Sequence, residues 1–81
     1  MRLDKFLKVS RLIKRRTVAK EMADQGRILV NEKPAKSSTS VKVGDVLEIQ
    51  YGSRVIKVEI KNILDTTKKD EASLLYEIIA E

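Results

Sequence analysis

Apolar residues recur along the chain in two rhythms, the first helical and the second alternating. Leu3, Phe6 and Leu7 stand at i, i+3 and i+4, a narrow face that predicts a short first helix with Arg2, Lys5 and Lys8 turned off it. Asp4 falls in the first turn, where a carboxylate complements the helix dipole and can reach Lys8 one turn on. Ser10 is expected to break or recap the helix, leaving Leu12 and Ile13 to anchor an elbow that holds Lys14, Arg15 and Arg16 outward. Thr17 is the expected N-cap of a second helix over residues 18–25, with Val18, Ala19, Met22 and Ala23 as its apolar stripe and Gly26 as its stop.

The alternating rhythm follows. Ile28, Leu29 and Val30 predict a short strand, ended by a turn at Asn31-Glu32-Lys33-Pro34 and a polar stretch to Ser40. Val41-Lys42-Val43 leads to a second turn at Gly44-Asp45. Residues 46–51 then alternate, with Leu47, Ile49 and Tyr51 on one face and Glu48 and Gln50 on the other. Gly52-Ser53 predicts a tight hairpin whose return strand, residues 54–63, sets Ile56, Val58 and Ile60 against Lys57, Glu59 and Lys61. Residues 65–70 are polar and expected as a loop. The run at residues 74–80 suits a buried strand or a short helix; a strand beside residues 55–63 is favoured, with a helical turn near Lys69–Ala72. This order of elements predicts an α+β fold in one domain, residues 1–81, with N-terminal helices packed on a small, mainly antiparallel sheet.

Charge is distributed unevenly over these elements. Residues 2–36 hold eleven Lys and Arg against four Asp and Glu, a net +7, whereas residues 37–81 hold six against eight, a net −2. The helical half therefore carries the positive potential and the second half is expected to be scaffold. A one-sided basic surface with three successive cations at the elbow points to a polyanion, and the candidate RNA-binding residues are Arg2, Lys5, Lys8, Arg11, Lys14, Arg15, Arg16 and Lys20. Arg2, Arg15 and Arg16 are the sharper candidates, because a guanidinium can fork onto a phosphate and stack on a base. Phe6, Tyr51 and Tyr76 all fall at core-facing positions, so recognition of backbone and shape is expected rather than base stacking.

Catalytic chemistry has little to rest on. The chain has no cysteine and no histidine, which removes thiolate and imidazole ligands and the commonest general base. Its aspartates are scattered among turns and helix ends, and neither a phosphate-binding loop nor a dinucleotide fingerprint is present. A non-enzyme with no cofactor and no metal is expected. The N-terminus carries charge from Arg2 onward and no apolar run approaches a membrane span, so a soluble, cytoplasmic, monomeric protein is the expectation.

The run RLDKFLKVSRLIKRRTVAKEMADQGRILVN, followed by VKVGDVLEI, resembles the RNA-binding domain named after the fourth small-subunit ribosomal protein, an alpha-L RNA-binding motif. The resemblance covers a core of about residues 2–51, with residues 54–81 as a C-terminal strand extension. It implies two helices and a short sheet that present a basic helical surface to structured RNA. Among free-standing members, the DTTKKDEASLLYEII segment is similar to those of ribosome-associated quality control, relatives of a small ribosome-associated heat-shock protein. That similarity implies binding to a large ribosomal subunit holding a stalled peptidyl-tRNA, contacts to large-subunit rRNA and to tRNA, and support of a factor that adds alanine tails. It also implies that Arg2 and Arg16 are RNA-contacting positions. A general rRNA-binding heat-shock-like factor, a basic protein-interaction module and a remnant of an RNA-modifying enzyme remain the alternatives.

Overall fold

Helices too short to persist alone are held here by what they bury. The computed structural model describes residues 1–64 and 70–81. Helix α1 (Leu3–Val9) is only seven residues long, well below the length at which an isolated helix is stable in water. Leu3, Phe6 and Leu7 are wholly buried, as their spacing predicts. The first N–H groups of α1, which no helix can satisfy internally, are met from outside: Leu3 donates to the Thr39 carbonyl at 2.8 Å and Asp4 to that of Ser37 at 3.1 Å. Ser10 caps the far end, its hydroxyl donating to the Leu7 carbonyl at 3.2 Å.

Helix α2 (Arg16–Asp24) starts two residues earlier than residue 18, where its periodicity predicts it. The N-cap is Arg15, extended at φ −113° and ψ 128°, and its carbonyl accepts the Ala19 N–H at 3.0 Å. Thr17 therefore lies inside the first turn and is not the cap. The choice is tertiary: Ile13 is buried, and the elbow that buries it delivers Arg15 in extended form at the helix start. Val18 is also displaced from its expected role, being 40% exposed, while Ala19 and Ala23 carry the buried face. Gly26 ends the helix at φ +79°, with its own N–H and that of Arg27 donating to Ala23 and Met22 at 3.0 Å.

Five antiparallel strands complete the α+β fold: β1 (Ile28–Val30), β2 (Lys33–Pro34), β3 (Val46–Tyr51), β4 (Arg54–Ile60) and β5 (Tyr76–Ala80), in sheet order β2-β1-β3-β4-β5. The β3–β4 register pairs Tyr51 with Arg54 across Gly52-Ser53, the expected hairpin. Leu47, Ile49, Val58 and Ile60 are fully buried and form one core with the helical face. The ambiguous C-terminal run is a strand along β4, with an irregularity between Lys57 and Val58, preceded by a 3-10 turn at Ala72–Leu74. The expected loop at residues 65–70 and the Lys69 end of the expected helical turn lie outside the described residues, apart from Asp70.

Asn31 and Glu32 link β1 to β2 with φ of 50° and 71°, the left-handed pair of a two-residue hairpin whose twist matches the strands. Asn31 also ties this hairpin to β3. Its side-chain amide donates to Asp45 Oδ1 at 3.1 Å, and its Oδ1 accepts the Val46 N–H at 3.0 Å. We expect Asn31→Gly, which keeps the turn conformation but removes both bonds, to cost about 1–3 kcal/mol, because buried Asp45 loses a donor. Urea unfolding measures this as a lower midpoint at unchanged slope. An unchanged midpoint would assign the register to the strands alone.

Candidate nucleic-acid interface

The two sharpest arginine candidates, separated by fourteen positions of sequence, meet at a single carboxylate. Asp4 Oδ1 accepts from Arg2 Nε at 3.2 Å, from Arg16 Nη2 at 3.4 Å and from the Lys5 backbone N–H at 2.8 Å, while Oδ2 accepts from Arg2 Nη2 at 3.3 Å. The Asp4 side chain is 4% exposed, against 50% for Arg2 and 45% for Arg16. The anion is thus inside and the two cations outside. Asp4 does lie in the first turn of α1, as expected, but its described ion-pair partners are Arg2 and Arg16 in place of Lys8.

Backbone contacts hold both arginines where Asp4 can reach them. Residues 1–3 run antiparallel to 39–41: the Val41 N–H donates to the Met1 carbonyl at 2.8 Å, Arg2 bridges to Ser40, and Leu3 binds Thr39. Arg16 opens α2, so its position follows from the elbow. A guanidinium has five N–H donors. Arg2 gives Asp4 two and Arg16 gives it one, so both retain donors for an outside anion. Two cations on one carboxylate also leave a residual positive charge at the surface.

Burial alone would raise the pKa of the Asp4 carboxyl. The hydrogen bonds from Arg16 and Arg2, the nearby Arg16 charge and the Lys5 N–H outweigh it, and the group is held below its ordinary value. Asp24 is also lowered, chiefly because it accepts the Ser37 N–H at 3.0 Å, with Lys20 and Lys36 contributing from nearby. Lys36 thereby joins Lys20 beside the end of α2. Sequence reasoning missed it, since no local pattern connects residue 36 to residue 24.

The remaining candidates lie on the same helical half of the chain. Lys5 is half-buried beside Asp4, Lys8 is exposed in the last turn of α1, and Lys20 is exposed one turn beyond Arg16. Arg11, Lys14 and Arg15 are exposed on the elbow. The structure joins Arg2 and Arg16 through a shared partner, Asp4. Phe6 is buried, and Tyr51 and Tyr76 pack against the core, so the aromatics face inward as expected. Tyr51 donates its hydroxyl to the Leu12 carbonyl at 2.6 Å, which ties β3 to the elbow, and burial raises its pKa, with Tyr76 adding to the effect. No group of three or more His, Cys, Asp and Glu able to hold a metal occurs among the described residues, and no described helix is long and apolar enough to cross a membrane.

A basic face on two short helices, backed by an antiparallel sheet, is the architecture of a small family of domains. The family model described as the S4 domain matches residues 1–47. The RQC P-site tRNA stabilizing factor of Bacillus subtilis is 58% identical over 81 residues, covering 100% of this chain and 94% of that protein. Its namesake in Halalkalibacterium halodurans is 60% identical over 81 residues, covering 100% of this chain and 92% of that one. Among solved structures, trimeric heat shock protein 15 of Vibrio cholerae superposes with a TM-score of 0.91 at 33% identity, over 99% of this chain and 82% of that chain. The chain belongs to the S4-domain family and, within it, to the group whose members carry the name RQC P-site tRNA stabilizing factor.

The Asp4 geometry predicts a specific acid response. Asp4→Asn should lower stability near neutral pH by about 1–3 kcal/mol, the range for bonds to a charged partner with both guanidiniums half-exposed. Because the folded pKa lies below the ordinary 3.8, this contribution is complete above that value and is lost as pH falls through the folded one. Urea unfolding at a series of pH values should show wild type and variant converging in acid. A gap that stayed constant with pH would mean that Asp4 acts through shape and not through its charge.

Proposed function

We propose that this chain is a non-catalytic, cytoplasmic RNA-binding translation factor. It binds large ribosomal subunits that carry a stalled peptidyl-tRNA, contacts rRNA and tRNA with the face formed by α1, the elbow and α2, and supports alanine tailing of the stalled chain by a separate factor. The observation that carries this reading is the Arg2–Asp4–Arg16 cluster, a pair of half-exposed guanidiniums held together on the basic side of the molecule. The name shared by relatives 58% and 60% identical supplies the ligand class, a tRNA in the P site.

With no catalytic constellation in the reading, the effect must come from differential affinity. A protein that touches rRNA and tRNA together favours the arrangement in which both contacts form. Stabilising the tRNA in that position leaves the neighbouring site to the factor that performs the chemistry. The RNA-binding set for this role is Arg2, Lys5, Lys8, Arg11, Lys14, Arg15, Arg16 and Lys20. Arg2 and Arg16 carry the directional contacts, and the others supply charge along the backbone.

Two measurements test the reading. If about three to six phosphates are neutralised, log affinity should fall against log salt with a slope of about −2 to −5; a slope near zero would exclude a phosphate-dominated interface. Arg2→Ala and Arg16→Ala should each weaken co-sedimentation with tRNA-bearing large subunits by about ten- to a hundredfold, the loss expected for a charge-assisted contact. Lys57→Ala, on β4, serves as the control. Normal binding by both arginine variants with loss in the Lys57 variant would move the interface to the sheet. Equal binding to subunits with and without P-site tRNA would favour a general rRNA-binding factor.

A further inference from the structure

We propose that Arg11 is a dedicated RNA contact, and that the chain keeps a strained helix end for the sake of this side chain; the proposal deepens the RNA-binding reading above and rests on it. Both helices end on a residue in the left-handed conformation. After α2 it is Gly26, at φ +79°. After α1, capped by Ser10, it is Arg11, at φ +62°. One backbone bond recurs: the Arg11 N–H donates to the Lys8 carbonyl at 3.0 Å, as Gly26 donates to Ala23, while the next carbonyl, that of Leu7, is reached by the Ile13 N–H at 3.1 Å. Glycine takes this conformation without a Cβ penalty and would make the same backbone bonds, so the backbone does not itself require arginine at this position.

The surroundings force the conformation. The Ser10 hydroxyl donates to Leu7 O and lies 3.5 Å from the Leu12 N–H, Ile13 is buried, and the Tyr51 hydroxyl pins Leu12 O at 2.6 Å. Backbone strain that neighbouring structure over-determines in this way gathers at binding sites. The Arg11 side chain is exposed, and its guanidinium has no hydrogen-bond or ion-pair partner among the described residues. It stands on the same elbow as Lys14 and Arg15, between the two helices that hold the Asp4 cluster. A strained, exposed guanidinium without an internal partner, set within a basic surface, is placed for a phosphate.

The test separates strain from charge. Arg11→Gly and Arg11→Ala both delete the guanidinium, but only glycine relieves the backbone. Arg11→Gly should melt at a higher temperature than wild type and Arg11→Ala should not. Binding is then measured by salt titration against purified large ribosomal subunits carrying P-site tRNA. Both variants should lose affinity by about tenfold, as for one charge-assisted contact, and the salt slope should become shallower by about one unit. A more stable variant that binds less well is the signature expected. Arg11→Gly that is more stable with unchanged affinity and slope overturns the proposal, and so does Arg11→Gly that gains no stability. Arg16→Ala, measured alongside, separates the two levels: loss in Arg16→Ala alone rejects the role of Arg11, whereas no loss in either variant rejects the RNA interface itself.

Discussion

A single buried carboxylate holds the two sharpest candidate RNA-binding residues together. Asp4 sits almost out of contact with water, where an unpaired charge is costly, and it is compensated by two guanidiniums and a backbone N–H. Asp4 lies in α1, Arg2 just before it and Arg16 opens α2, so satisfying Asp4 fixes the start of α1 against the start of α2. The same bonds limit the arrangements of two long side chains that would otherwise cost rotamer entropy on meeting a phosphate. In the proposed interface, stability and recognition would therefore draw on one set of contacts.

The loop between β2 and β3 makes this geometry possible. Thr39 and Ser37 accept the first two N–H groups of α1, and Ser37 also donates to Asp24 at the far end of α2. One short segment thus connects the beginning of the first helix to the end of the second. Asn31 closes the other side by binding Asp45 and Val46, which sets β3 beside β1. On this frame the acidic half of the chain acts as support, and the basic half is left outward as a surface.

Most of the fold was legible in the sequence because it rests on local rhythm. The Leu3-Phe6-Leu7 face, the Gly26 stop and the β3–β4 hairpin follow from spacing and from turn chemistry. What local pattern missed was decided by tertiary contact. Thr17 has the chemistry of a cap, yet the buried Ile13 and the extended Arg15 start α2 before it. Val18 matches the helical stripe, but the buried face is carried by alanines. The interface was legible as a charge excess and not as a set of roles. Asp4 looked like a partner for Lys8, since sequence reveals neighbours one turn away and conceals Arg16, twelve positions on. Arg11 differs from the other cations chiefly in its backbone angle and in the helix end that it forms.

The claim that Asp4 organises the arginine pair is tested most directly by a double-mutant cycle on RNA affinity, with Asp4→Asn and Arg16→Ala measured alone and together on tRNA-bearing large subunits. Removing an acid from a basic surface should strengthen RNA binding if only net charge matters. The account predicts the opposite: Asp4→Asn weakens binding in the wild-type background and loses most of that effect once Arg16 is gone. Tighter binding by Asp4→Asn, or an equal loss in both backgrounds, would contradict it.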